Sequence, residues 1–106
     1  MAKFLVQANY TAEGLRGLLR DKPSGRRDTV SGMLQAAGCK LDSMYFGLGG
    51  TDVFLVCDCP DNATAAAISL AASASGAVRT TTTPLFTVEE ADLILQKGVN
   101  YRAPGT

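Results

Sequence analysis

The sequence predicts an α+β domain with the element order β-α-β-β-α-β and one further helix, and three observations carry that reading. Four extended stretches are separable, at residues 3–10, 40–48, 51–58 and 78–83. Two stretches of helical spacing or helix-forming composition, 26–37 and 61–75, follow the first and third of them. Between the second and third lies Gly49-Gly50, a hairpin signal because both positions tolerate positive φ.

The elements follow in chain order. Residues 3–10 are rich in strand formers and largely apolar on both faces. Thr11 is placed to cap the next element, and Glu13 with Gly14-Leu15-Arg16 suggests a short helical turn. That turn is expected to break at Gly17 or at Lys22-Pro23-Ser24-Gly25. From 26 to 37, Val30, Met33, Leu34 and Ala37 recur at helical spacing, with Gly38 just past the end. A two-residue loop at Gly49-Gly50 pairs Leu48 with Thr51, and Cys59-Pro60-Asp61 ends the third strand. Residues 61–75 are mostly alanine with Ile68 and Leu70, capped by Asp61 and closed by Gly76. Val78 and Thr80 to Thr83 make a β-branched fourth strand around Arg79. Thr87 and Glu90 have the spacing of a capping box, opening a helix that carries Val88, Ala91, Ile94 and Leu95 and stops at Gly98. Residues 1–98 thus form the domain, and 99–106 are a tail without periodicity, an arm long enough to reach a neighbour.

Two right-handed βαβ crossovers put both main helices on one face of an antiparallel sheet, the ferredoxin-like arrangement. The opposite face has no covering element, yet the strands alternate poorly. Phe4, Val6 and Ala8 oppose Leu5, while Val53, Leu55 and Cys57 oppose Phe54 and Val56. Two apolar faces need two coverings, so a homodimer or higher homo-oligomer through the sheet face is expected.

Composition narrows the chemistry. Ten basic and ten acidic residues balance, so no net field attracts nucleic acid or an anionic membrane, and neither is expected as a partner. Lys22, Arg26 and Arg27 form a local basic cluster, read as a solvated helix start. With no long apolar run and polar residues from Gln7 onward, a cytoplasmic protein with reduced thiols is expected. The chain has no histidine, which removes Ser-His and Cys-His pairs, histidine-ligated metals and the commonest general base. There is no glycine-rich phosphate loop, and neither a cofactor nor a metal is expected.

Several strings resemble the GYD-domain family, small bacterial proteins of the dimeric α/β-barrel group. They are Asn9-Tyr10-Thr11 with Gly14, the hairpin from Tyr45-Phe46 to Asp52, the Asp61 helix, Val78-Arg79-Thr80, Phe86-Thr87, and the tail Tyr101-Arg102-Ala103-Pro104-Gly105. Of these, the tail is the most specific. The naming Gly-Tyr-Asp string falls on Gly50-Thr51-Asp52, with threonine in place of tyrosine. The resemblance implies a ferredoxin-like fold and dimeric α/β-barrel association; it implies no particular reaction.

Candidate ligand-binding residues are Asn9, Tyr10, Tyr45, Asp52 and Arg79, chosen to line a pocket at one end of the sheet for a small organic molecule. An inward guanidinium needs a carboxylate or an anionic ligand, and phenols donate to oxygenated ligands. Each has a plainer reading: Arg79 in solvent or bridging to another subunit, the tyrosines as packing residues, Asp52 as a turn residue. Cys57 and Cys59 share one strand face, with Cys59 opposite Lys40 and diagonal to Cys39. A redox pair or soft-metal site competes there with core packing. Two functions from different classes follow. One is a homo-oligomeric small-molecule-binding or assembly module. The other is a cofactor-independent oxygenase or isomerase, with Asp52 as base, Arg79 stabilising negative charge and Tyr45 assisting. A structural or regulatory partner of another protein is a third.

Overall fold

A computed structural model describes residues 1–47 and 49–106. The elements are β1 (Ala2–Tyr10), α1 (Ala12–Ala36), β2 (Lys40–Phe46), β3 (Val53–Cys59), α2 (Asn62–Ala74), β4 (Val78–Leu85) and α3 (Val88–Leu95). Four strands make one sheet in the order β2-β3-β1-β4, and every neighbouring pair is antiparallel. Both α1 and α2 lie on one side of it.

The helix ends follow the local chemistry. Thr11 accepts from the Gly14 amide, Asp61 from the Thr64 amide, and Thr87 with Glu90 forms a full capping box. Gly38 and Gly76 adopt φ of +80° and +77° just past their helices, a conformation that costs glycine little. The first helix departs from expectation. It runs through Gly17 and is interrupted only at Lys22, whose φ of 65° and ψ of 157° are non-helical. Pro23 explains the site of the break, because its ring excludes a helical Lys22. A ten-residue first segment therefore stands where only a turn was expected.

Gly14 seats that segment. A Cβ there would lie 1.9 Å from the carbonyl oxygen of Ala77, so only glycine permits the approach. The same carbonyl accepts from the Thr11 amide, and the Thr11 hydroxyl donates to the Gly76 carbonyl.

The hairpin also differs from expectation. Thr51 precedes the third strand, which starts at Val53, and the last pair before the loop is Phe46 with Val53. The Gly47 amide then donates to the Asp52 carbonyl. The expected Leu48–Thr51 pair and the strand end at Leu48 lie outside the described residues. Farther from the loop, a bulge between Leu41 and Ser43 shifts the register by one residue, so Lys40 pairs with Asp58 and not with Cys59.

The core lies between the sheet and the two helices: Phe4, Val30, Leu34, Cys39, Cys57, Cys59 and Ala65, flanked by Val6, Leu41, Met44, Leu55 and Ile68. Packing between α2 and β4 is partly polar, since Ser69 and Ser73 bond to the hydroxyls of Thr82 and Thr80. This explains how a strand of threonines faces a helix without stranding hydroxyl groups. α3 is different, because none of its residues is buried.

Candidate functional site

The side of the sheet away from the helices carries most of the expected site. Residues directly opposite in an antiparallel sheet share a face, so Leu5, Gln7 and Asn9 stand with Phe54 and Val56 on one side and Thr83, Thr81 and Arg79 on the other. Asn9 and Arg79 are direct cross-strand partners, and both are exposed. With Gln7, Thr51 and Thr81 they border a mostly polar recess of about 610 Å³ at one end of this face. No carboxylate pairs with Arg79 among the described residues.

Asp52 sits beside this recess in a different role. Its carboxylate accepts from the Tyr10 amide at 2.9 Å, and its own amide donates to Asn9 Oδ1 at 3.0 Å and to the Ala8 carbonyl. These bonds staple the loop between β2 and β3 onto the end of β1. The Gly50-Thr51-Asp52 string therefore ends on a residue that holds backbone geometry.

Tyr10 faces the other way. Phe4, Val6, Ala8 and Tyr10 alternate toward the helix layer, where Tyr10 and Arg26 border an apolar cavity of about 70 Å³. Burial raises the Tyr10 phenol above its ordinary 10.0, opposed by the nearby Arg26 guanidinium. Arg26 is thus half-buried over the cavity, where the sequence reading had it in solvent, while Arg27 is exposed beside Asp28. The helical spacing carried the signal, because Arg26 lies four residues before Val30 and so shares the face that holds Val30 and Leu34.

Tyr45 stands apart. It is 69% exposed on the edge strand, in the transverse row Tyr45, Phe54, Gln7, Thr81. Three strand spacings of about 4.8 Å put roughly 14 Å between its strand and β4, which holds Arg79. The structure thus brings Asn9 and Arg79 together, with Tyr10 also bordering the recess while its phenol points to the helix side, sets Asp52 behind them, and leaves Tyr45 elsewhere.

Other polar chemistry escaped the sequence reading. Lys3 Nζ lies 2.5 Å from Asp42 and 3.0 Å from Asp58, a bridge across the first three strands on the open face. Asp42 is held below its ordinary value, chiefly by the hydrogen bond from Lys3. A lysine inside an apolar strand was the available signal, because a charge there needs a partner.

The three cysteines are buried and unbonded. Cys39 Sγ is 2.7 Å from Cys59 Sγ, and Cys57 Sγ is 3.9 Å from Cys59 Sγ. Burial pushes all three thiols up, Cys39 to about 12, so in the closed fold each rests as the neutral thiol at neutral pH. No group of residues able to hold a metal ion occurs among the described residues, nor is any helix long and apolar enough to cross a membrane.

The fold defines an α+β protein with a four-stranded antiparallel sheet, helices on one face and a polar recess at one end of the other. Within that class the chain belongs to the GYD domain family, whose model matches residues 4–95. The matched region includes α3 and leaves the tail outside it. Comparison with curated proteins and with solved structures gave no match.

Proposed function

We propose that this chain is a homo-oligomeric binding module, in which the open sheet faces of two copies pack together and enclose a small organic ligand. The observation that carries the reading is the open face itself. Leu5, Phe54, Val56 and Leu85 form its apolar part, with no covering segment among the described residues, beside a recess already of ligand size. The strand order β2-β3-β1-β4 with both main helices on one side supports a ferredoxin-like fold, and face-to-face pairing of two such sheets gives a dimeric α/β barrel. A second sheet would also roof the recess, replacing water around Arg79 with protein. A desolvated guanidinium next to Asn9 favours an anionic or oxygen-rich ligand. Thr51, where the family string has tyrosine, leaves more of that recess open.

The catalytic reading has less support. Asp52 already spends its carboxylate on a backbone amide, and Tyr45 is a sheet's width from Arg79. Native mass spectrometry of freshly purified protein tests the proposal. An even multiple of 11.1 kDa carrying extra small-molecule mass is expected. An oligomer without ligand would confine the module to assembly, and a bare monomer at micromolar concentration would sink it.

A further inference from the structure

We propose that Cys39 and Cys59 are a built site for reversible disulfide formation, with a small hydroperoxide as the oxidant. The placement is a product of the fold. α1 ends in a turn at Gly38, and the Cys39 amide donates to the Leu34 carbonyl, which fixes where β2 begins. The bulge between Leu41 and Ser43 then advances the register by one, so the line of pairs Leu41–Cys57 and Lys40–Asp58 extends to Cys39 and Cys59. Without that bulge, Cys59 would face Lys40. Direct antiparallel partners have Cα atoms about 4.5–5.5 Å apart, inside the range a disulfide spans. Cys57 and Cys59, two residues apart on one strand, are separated by about 6.6 Å and lie at the edge of that range. The sulfur positions agree: 2.7 Å for Cys39 with Cys59, against 3.9 Å for Cys57 with Cys59.

Access is the second observation. Cys57 and Cys59 line the 70 Å³ apolar cavity under the helices, and Cys39 lies behind them. That volume is several times the ~10–15 Å³ that admits one water, so a molecule the size of hydrogen peroxide fits in the cavity. Cys59 itself is fully buried at its wall, so the oxidant reaches the sulfur through local opening of the helix layer. Cys59 borders the cavity and Cys39 does not, so Cys59 is the sulfur that meets the oxidant first, with Cys39 in contact behind it.

The chemistry balances. Cys59 sulfur attacks one peroxide oxygen, the O–O bond breaks, and the thiol proton leaves with the other oxygen as an alcohol or water. The sulfenic acid formed on Cys59 is attacked by Cys39 sulfur. The S–O bond breaks, the S–S bond forms, and the hydroxyl departs as water with the Cys39 proton. Two thiols and one hydroperoxide give one disulfide, one alcohol and one water, the two sulfurs supplying the two electrons. Because the second thiol is in place, capture of the sulfenic acid precedes further oxidation.

The test treats the reduced, folded full-length chain with hydrogen peroxide, then denatures and alkylates it for intact mass and peptide mapping. The expected product is a monomeric chain lighter by two hydrogens, with one alkylatable thiol, a Cys39–Cys59 linked peptide, and full reversal by dithiothreitol. Cys57→Ser is expected to form the same bond, and Cys39→Ser to accumulate oxygen-bearing Cys59 instead. A link involving Cys57, a link between chains, sulfinic acid on the wild-type protein, or three thiols left intact would each overturn the proposal. The wild-type map decides the matter even if a serine variant fails to fold.

Discussion

Helices α2 and α3 begin alike and end up in opposite situations. Each opens on an oxygen cap, Asp61 for α2 and the Thr87–Glu90 box for α3. Yet α2 packs on β4 through Ala65, Ile68 and two serine–threonine bonds, whereas α3 leaves Val88, Leu93 and Leu95 at 76%, 60% and 81% exposure. Caps and composition suffice to start a helix; they do not supply a surface to hold it. An eight-residue helix is too short to be stable alone in water, so α3 gains most from a surface outside its own chain. The difference separates a body, residues 1–85, whose helices pack on the sheet, from α3, whose apolar side is uncovered.

The largest expected effect comes from the seat of the body. Gly14→Ala drives a Cβ into the Ala77 carbonyl, and a loss of about 3 kcal/mol in urea unfolding is expected. A normal midpoint would mean that the contact between the first segment of α1 and the β4 approach is dispensable.

Next, Asp52→Ala leaves the Tyr10 amide without its acceptor and frees the loop, at a cost of about 2 kcal/mol. Equal stability of Asp52→Ala and wild type would show that the staple is incidental. The same variant separates roles, since a structural Asp52 affects melting before it affects binding.

Lys22→Gly works in the other direction. It relieves a positive φ that only glycine adopts freely, and a gain of about 1 kcal/mol is expected by thermal unfolding. Lower stability would mean that the interruption of α1 is held by the lysine side chain.

Helix α3 should respond in another observable. Leu93→Ser with Ile94→Ser is expected to leave the unfolding of the body within about 0.5 kcal/mol of wild type. The same pair is expected to weaken self-association at least about tenfold by sedimentation, about 1.4 kcal/mol of association energy. If the pair instead unfolds the body, α3 belongs to it and the division fails.

Acid gives the finest discrimination. Asp61 and Glu90 both lie below their ordinary values of 3.8 and 4.5, Asp61 through bonds from Thr64 and Glu90 through the Thr87 amide. A depressed carboxylate stabilises the fold above its unfolded value and loses that contribution as pH falls through the folded one. As pH falls below these ordinary values, therefore, Asp61→Asn should flatten the pH dependence of global unfolding, whereas Glu90→Gln should not. Identical effects would place α3 in the same cooperative unit as α2.

Much of this was legible in the sequence because it is local. Thr11, Asp61 and Thr87 cap where their side chains reach the next amides, and Gly38 and Gly76 end helices where φ must turn positive. Strand alternation set Phe4 opposite to Leu5 and Val53 opposite to Phe54, and the structure turns Phe4 and Val53 to the helices. The candidate site was less legible, because it depends on where distant segments meet. Asn9 and Arg79 become partners only through the β1–β4 register, and Tyr10 borders their recess while its parity along β1 points its phenol at Arg26.

What the sequence by itself determined is the order of the strands and main helices and the caps that start them, since capping and period act over a few residues; the length of α1 and the ends of the hairpin strands were not among them. Tertiary structure alone decided the Asp52 staple, the Lys3 bridge and the meeting of Cys39 with Cys59. The last turns on a one-residue bulge in β2, and such a bulge is a property of pairing between strands, with no counterpart in either strand read alone.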